Sequence, residues 1–252
     1  MKFNPLFCRN SEYFMPTLDI CLSPALFQYY DTDNKIIVVI DVIRATSTVC
    51  VAFIYGAAKI IPVETEAEAL EYRNKGYLIA GERNGDKLEG YDFGNSPFDF
   101  MTPLIKGETL VMTTTNGTRA INVSKKSMEV ATGAFINSDC LSDWLIKKDH
   151  DIIFLCSGWF FKVNVEDTLL AGKLCSRLID TGRFYANSDA ANIAISLFID
   201  AKNDIYNYVI KNSPRLRNKQ SVIGKDLQYC LSDIQLPVVP VLQENVLIPL
   251  FF

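Results

Sequence analysis

Histidine is nearly absent: His150 is the only one in 252 residues. Catalysis built on paired histidines is thereby excluded, as are zinc sites that take two or three of them. No cysteine is followed six positions later by Arg, so the loop of a thiolate phosphatase is missing. The seven cysteines, Cys8, Cys21, Cys50, Cys140, Cys156, Cys175 and Cys230, include no CxxC pair. Odd in number and widely spaced, they read as small apolar core residues in a reducing, cytoplasmic setting. Neither GxxxxGKS/T nor GxGxxG occurs, which weakens NTPase and dinucleotide readings. No run approaches the roughly 20 apolar residues that span a bilayer. The N-terminal MKFNPLFCRN is too short and interrupted in its apolar part for a signal-peptide core. A net charge of −4 argues against a general nucleic-acid or anionic-membrane surface, because both need a basic face.

What is present is enough apolar material, 49% of residues, for a sizeable core. Short β-branched segments at 17–21, 36–40, 59–63, 77–80, 109–113, 129–132 and 151–156 alternate with helical patterns at 46–57, 65–74, 118–125, 138–147 and 166–180. Doubly buried strands alternating with helices predict an α/β protein, a layered α/β/α sandwich with a largely parallel or mixed sheet. Asn137 or Ser138 is placed to cap one helix, and Gly182 to end another. Residues 82–103 lack periodicity and read as a long functional loop. Helical patterns return after Asn187, followed by extended pieces at 238–241 and 246–248; this C-terminal part reads as packing. No linker or repeat interrupts the chain, so 1–252 is expected to form one domain, with two lobes sharing a sheet as the alternative.

Chemistry gathers where strands run into helices. In IDVIRATSTVCVAF (40–53) a strand is followed by Asp41, Arg44, Thr46, Ser47 and Thr48 at a helix start. Main-chain N–H groups and the helix dipole there favour an anion, and Arg44 can hold phosphate through two bonds. Scaffold is the competing reading: a hydroxyl cap and an Asp41–Arg44 pair. LVMTTTNGTRA (110–120) repeats the arrangement, with Thr114, Thr115, Asn116, Gly117, Thr118 and Arg119. An ordinary turn with a Thr cap competes here. GERNGDKLEGYDFGNSP (81–97) adds Glu82, Arg83, Asn95 and Ser96. After another strand come Ser157 and Gly158, then Glu166 and Asp167 in a first helical turn, where acidic residues also suit the dipole. Asp41, Glu82, Glu166 and Asp167 together form an oxygen-donor set of the kind Mg²⁺ takes beside a phosphate.

These segments resemble the 2-phosphosulfolactate phosphatase family, ComB. DVIRATST (41–48), PVE (62–64), AGERNG (80–85), GNSP (94–97), TTTNGTRA (113–120), CSG (156–158) and EDTLLAG (166–172) occur in order, with a weaker echo over 226–240. The resemblance implies Mg²⁺-dependent hydrolysis of (R)-2-phospho-3-sulfolactate to 3-sulfolactate and phosphate, in a route to coenzyme M. Its substrate carries phosphate, sulfonate and carboxylate, which suits Arg44, Arg119 and Arg83. On this reading Asp41, Arg44, Glu82, Arg119, Glu166 and Asp167 are catalytic, and Asp41, Glu82 and Asp167 hold the metal. Arg44, Thr46–Thr48, Arg83, Asn95, Ser96, Thr114–Arg119, Ser157 and Gly158 bind substrate. The expected partner is a small anionic phosphoester, with neither nucleic acid nor membrane, and a homodimer is left open. Residues 159–165, WFFKVNV, depart from the glycine-rich family pattern and put the substrate at issue. A phosphatase for another small phosphorylated carboxylate or sugar, or a non-catalytic binder of anionic metabolites, is the alternative.

Overall fold

The computed structural model describes residues 15–252, so Cys8 and the N-terminal segment discussed above lie outside the described residues. The strands are β1 (Thr17–Cys21), β2 (Ile36–Ile40), β3 (Lys59–Pro62), β4 (Leu78–Arg83), β5 (Asp86–Lys87), β6 (Thr109–Thr113), β7 (Glu129–Gly133), β8 (Ile152–Cys156), β9 (Tyr185–Ala186), β10 (Val238–Gln243) and β11 (Val246–Phe251). Between and after them come α1 (Ala45–Ile54), α2 (Glu66–Arg73), α3 (Gly117–Ser124), α4 (Ser138–Lys148), α5 (Val165–Ile179), α6 (Asp189–Ala201), α7 (Ile205–Asn212) and α8 (Pro214–Cys230).

Within the described residues the strands form one mixed sheet in the order β5-β4-β6-β3-β11-β10-β7-β2-β8-β1-β9. β4, β6 and β3 make one parallel block, and β7, β2, β8, β1 and β9 make the other. The hairpin β10-β11 sits between them, antiparallel to both neighbours. Sheet twist of about 20° per step turns β6 by roughly 100° relative to β2 over the intervening strands. The two blocks have opposed senses, and residues at the carboxyl ends of β2, β4 and β6 nevertheless line one cavity.

The apolar pattern explains the layering. Along β2, Ile36, Val38 and Ile40 enter one core with Leu170, Leu174 and Leu178 of α5 and Leu227 of α8. Ile37 and Val39, pointing the other way, join Cys50 and Phe53 of α1 and Ile121 of α3. A strand buried on both faces must be apolar at every position, as this one is. The result is an α/β protein with helices on both sheet faces. No helix among the described residues is long and apolar enough to cross a membrane.

Two local expectations change. β4 does not end before Glu82 but runs through Arg83 and turns back into β5, because Asn84 and Gly85 take the two positive φ angles, 58° and 95°, of a tight hairpin. Asn137 precedes α4 without capping it; its Oδ1 instead accepts the Ala134 N–H at 2.8 Å. Gly182 follows α5 two residues past its C-cap Asp180, with φ +71° and its N–H on Ile179 O at 2.8 Å.

Candidate active site

The carboxyl ends of β2, β4 and β6 meet at a small cavity walled by Asp41, Arg44, Glu82, Gly85, Asn95 and Asn116. Trp159 covers it, together with Arg215, Lys219 and Ile223 of α8. About 30 Å³ is open inside, room for about one water.

Asp41 is buried, directly follows β2 and faces Gly117 at the start of α3. A Cβ at Gly117 would lie 2.7 Å from Ala45 Cβ and 2.9 Å from Asp41 Oδ2. Only glycine lets the two strand-to-helix junctions approach this closely. Burial, then the negative charges of Glu82 and Glu166, push the Asp41 carboxyl up to about 7. Glu82 bridges two loops, with Oε1 accepting from the Thr115 amide at 2.7 Å and Oε2 from the Gly85 amide at 2.6 Å.

Glu166 and Asp167 open α5 and are fully buried. Asp167 ties α5 to the other junctions: Oδ1 accepts from Val42 N–H at 2.9 Å, and Oδ2 from Gly158 N–H at 3.0 Å and Asn164 Nδ2 at 2.9 Å. Its carboxyl is nevertheless raised well above the ordinary value, by burial and by Glu166 and Asp41. Glu166 Oε1 accepts from Arg215, while its Oε2 is buried without a partner. Burial raises the Glu166 carboxyl, and Arg215 pulls it the other way. Asn95 Oδ1, Thr115 Oγ1 and Ser157 Oγ are also buried and unpartnered, although buried polar atoms are ordinarily satisfied.

The structure turns several nominated side chains away from the cavity. Thr46 Oγ1 donates to Asp41 O at 2.8 Å, Ser47 Oγ to Val42 O at 2.9 Å and Thr48 Oγ1 to Asn95 O at 2.9 Å. The amides of Thr46 and Thr48 are taken by Asp41 O and Arg44 O. These hydroxyls fold the junction, and the N-cap of α1 is Arg44, with no side-chain cap bond. Thr114 and Thr118 bond reciprocally, N–H of Thr118 to Thr114 Oγ1 and Oγ1 of Thr118 to Thr114 O. Arg83 reaches Glu66, Glu82 O and Thr113 Oγ1, and Arg119 stacks under Phe161, 4.5 Å from the ring centre. Of the three nominated arginines, Arg44 alone lines the cavity. It does not pair with Asp41: its Nη1 donates to Asp226 Oδ2 at 2.5 Å and its Nη2 to Gly85 O at 2.6 Å. Ser96 Oγ donates to the other oxygen of Asp226 at 2.7 Å. Asn116 faces the cavity and accepts the Phe160 N–H through Oδ1 at 3.2 Å.

Asp226, Arg215 and Lys219, all on α8, are site residues that the reading of the C-terminal helices as packing missed. Two signals pointed to them: the echo of family pattern beginning at Asp226, and Arg215, Lys219 and Ile223 spaced four apart on one helix face. His150 is exposed beyond α4, far from such a role. Burial holds Cys156 well above its ordinary value, so it is a core thiol and not a nucleophile.

The family model described as 2-phosphosulpholactate phosphatase matches residues 21–245. A probable 2-phosphosulfolactate phosphatase of Thermotoga petrophila is 38% identical over 84% of this chain and 90% of its own length. Proteins of the same name from Clostridium beijerinckii and Caldanaerobacter subterraneus subsp. tengcongensis are 34% and 32% identical, over 82% and 86% of this chain and 88% and 91% of their own lengths. With the match running from the end of β1 to the turn between the last two strands, the chain belongs to the 2-phosphosulfolactate phosphatase family.

Proposed function

We propose that this protein hydrolyses (R)-2-phospho-3-sulfolactate to 3-sulfolactate and phosphate with Mg²⁺, in the cytoplasm, as a step toward coenzyme M. Membership of the family makes it, by class, a phosphoric monoester hydrolase. The observation that carries the finer reading is the buried carboxylate group around Asp41, with Glu166 Oε2 and Asn95 Oδ1 left without partners beside it.

The donor set fits Mg²⁺. Among the described residues no three Asp, Glu, His or Cys side chains converge tightly enough to enclose a metal by themselves. Mg²⁺ does not need them to, since it commonly takes one or two carboxylates and completes its shell with water and phosphate oxygens. Asp41, with Glu166 beside it, would hold the ion, and Glu82 and Asp167, each with both oxygens accepting N–H bonds, would brace the loops around it. When bound, Mg²⁺ supplies charge neutralisation for phosphoryl oxygens and for this crowded acidic group.

The chain's own residues do the rest. Arg44, fixed by Asp226, orients an anionic ester at the mouth of the carboxylate group. Asn116 and Asn95 add uncharged donors and acceptors on either side. Trp159 excludes water once the site has closed. Phosphoryl transfer asks mainly for positioning and charge neutralisation, so the absence of a histidine or thiolate costs the reaction nothing. A phosphatase for a different phosphorylated carboxylate is the second reading, favoured by the bulk of Trp159 in the cavity wall. A binder without a metal would leave the carboxylates repelling its own anionic ligand.

A phosphate-release assay over phosphosulfolactate, phospholactate and sugar phosphates, with Mg²⁺ or EDTA, tests the proposal. Release from phosphosulfolactate above all others, abolished by EDTA, is expected. Turnover insensitive to EDTA removes the metal, and preference for another ester replaces the substrate.

A further inference from the structure

A substrate of the proposed kind carries at least two anionic groups, and only one of them reacts. The other needs a cation that is not already engaged. Arg83 and Arg119 lie outside the cavity lining, and Arg44 is committed to Asp226 and Gly85 O. The remaining cations in the lining are Lys219 and Arg215, one helical turn apart on α8, of which Arg215 gives one nitrogen, Nη2, to Glu166.

Their placement is not that of two surface charges. Arg215 stacks over Trp159 at 4.6 Å from the ring centre, and Lys219 Nζ lies over the same ring at 5.4 Å. One indole therefore positions both cations. Lys219 is also close to Arg44. A Cβ built on Gly85 would lie 3.0 Å from Lys219 Nζ and 4.0 Å from Arg44 Nη2, so the two charges border one small space. Gly85, at φ +95°, keeps that space clear. The groups that hold Lys219 there are a carbonyl, Asn84 O, and the aromatic face, neither of which is a carboxylate. Like charges drawn together without an anion between them repel, and an anion that enters gains from both.

We propose that Lys219 and Arg215 are the specificity-determining residues of this site: they take the non-reacting anionic end of the substrate, a sulfonate or carboxylate, with Trp159 fixing their direction. The assignment rests on the phosphatase reading above for the reacting end, and on the placement of Lys219, Arg215 and Trp159 for the other. It also gives the departure at Trp159 a function. The bulky residue selects substrate indirectly, by setting the positions of two cations on α8. Because the cavity is now too small for such a molecule, α8 and the 159–161 turn must part to admit it. The break in α8 at Ile223, where φ is −115° and ψ 21°, lies at the cavity wall.

The test is Lys219→Met, which removes the charge from a half-buried helical position and keeps the length of the side chain. Steady-state hydrolysis is compared for phosphosulfolactate, which has further anionic groups, and phenyl phosphate, which has none. The expected result is a KM for phosphosulfolactate raised about tenfold or more, the effect of losing one charge-assisted contact, with kcat nearly unchanged and the phenyl phosphate KM unaffected. Arg215→Gln should raise the same KM and also lower kcat, since Arg215 pairs with Glu166. A second readout needs no turnover: 3-sulfolactate should raise the thermal midpoint of the native enzyme but not of Lys219→Met, while inorganic phosphate raises both. Equal changes for both substrates, no change for either, or undiminished stabilisation by 3-sulfolactate would overturn the assignment. If the native enzyme releases phosphate from no ester, the phosphatase reading fails, and the 3-sulfolactate measurement still decides the role of Lys219.

Discussion

Arg44 and Asp226, 182 residues apart in sequence, form a buried ion pair in which Nη1 meets Oδ2 at 2.5 Å. It joins the first strand-to-helix junction to α8, so the site closes on residues from both ends of the chain. Removing one member of a buried pair leaves the other charge uncompensated and typically costs about 3–5 kcal/mol. Arg44→Ala and Asp226→Ala should each lower stability by that order in urea denaturation, and the double variant should lose clearly less than their sum. Both single variants should also lose most phosphatase activity. Additive losses would mean that the pair is not coupled.

Gly117 offers a separate check on the geometry of Asp41. In Gly117→Ala the new methyl group meets Ala45 Cβ and Asp41 Oδ2 at 2.7 and 2.9 Å. Overpacking of this kind costs about 1–3 kcal/mol, so the protein should remain folded by circular dichroism. Its kcat should fall at least tenfold, because the displaced group is the carboxylate expected to hold the metal. Full activity in a folded Gly117→Ala would show that Asp41 needs no fixed position.

How far the sequence could be read depends on whether the information is local. β2 was legible because Ile36–Ile40 is apolar at every position, as a strand buried on both faces requires. The hairpin at Asn84-Gly85 was equally legible from its turn dipeptide, and treating 82–103 as an unbroken loop passed over it. The insertion of β10-β11 between two parallel blocks was not, since nothing in those segments names their neighbours. The same holds within the site. Asp41, Glu82 and Glu166 could be nominated from their places after strands and at helix starts, but the use of the Thr46–Thr48 hydroxyls as internal struts depends on which carbonyls fold beside them. Arg215 and Lys219 share a helix face with Ile223 in the sequence, a spacing that does not by itself name a site. They become site residues only because α8 packs over the cavity.

The pH dependence of stability has a definite sign. Asp41 is raised from an ordinary 3.8 to about 7, and Glu166 and Asp167 are shifted in the same direction. Between those values the folded chain keeps a proton that the unfolded chain has released, so stability falls as pH rises through the window. With EDTA present, the thermal midpoint should decline from roughly pH 5 to 8. Millimolar Mg²⁺ at the upper end should restore it, since the proposed ion would bind the deprotonated folded site. A metal-free midpoint that rises across the same range would contradict the crowding of charge at this site.

Glu166→Gln should separate stability from function. Glu166 is fully buried, one oxygen has no partner, and its charge raises both Asp41 and Asp167. An amide of the same shape removes that repulsion. It also weakens the bond to Arg215, but the arginine side chain retains 19% of its exposure and keeps its stack on Trp159. Relief of charge among three buried carboxylates should outweigh the loss of one partly solvated pair. The metal-free variant should therefore melt above the native protein at pH 8, while phosphatase activity assayed with Mg²⁺ falls by about a hundredfold or more. Strained active sites commonly trade stability for activity in this way. A variant that melts below the native protein would show instead that Glu166 is held chiefly as the structural partner of Arg215.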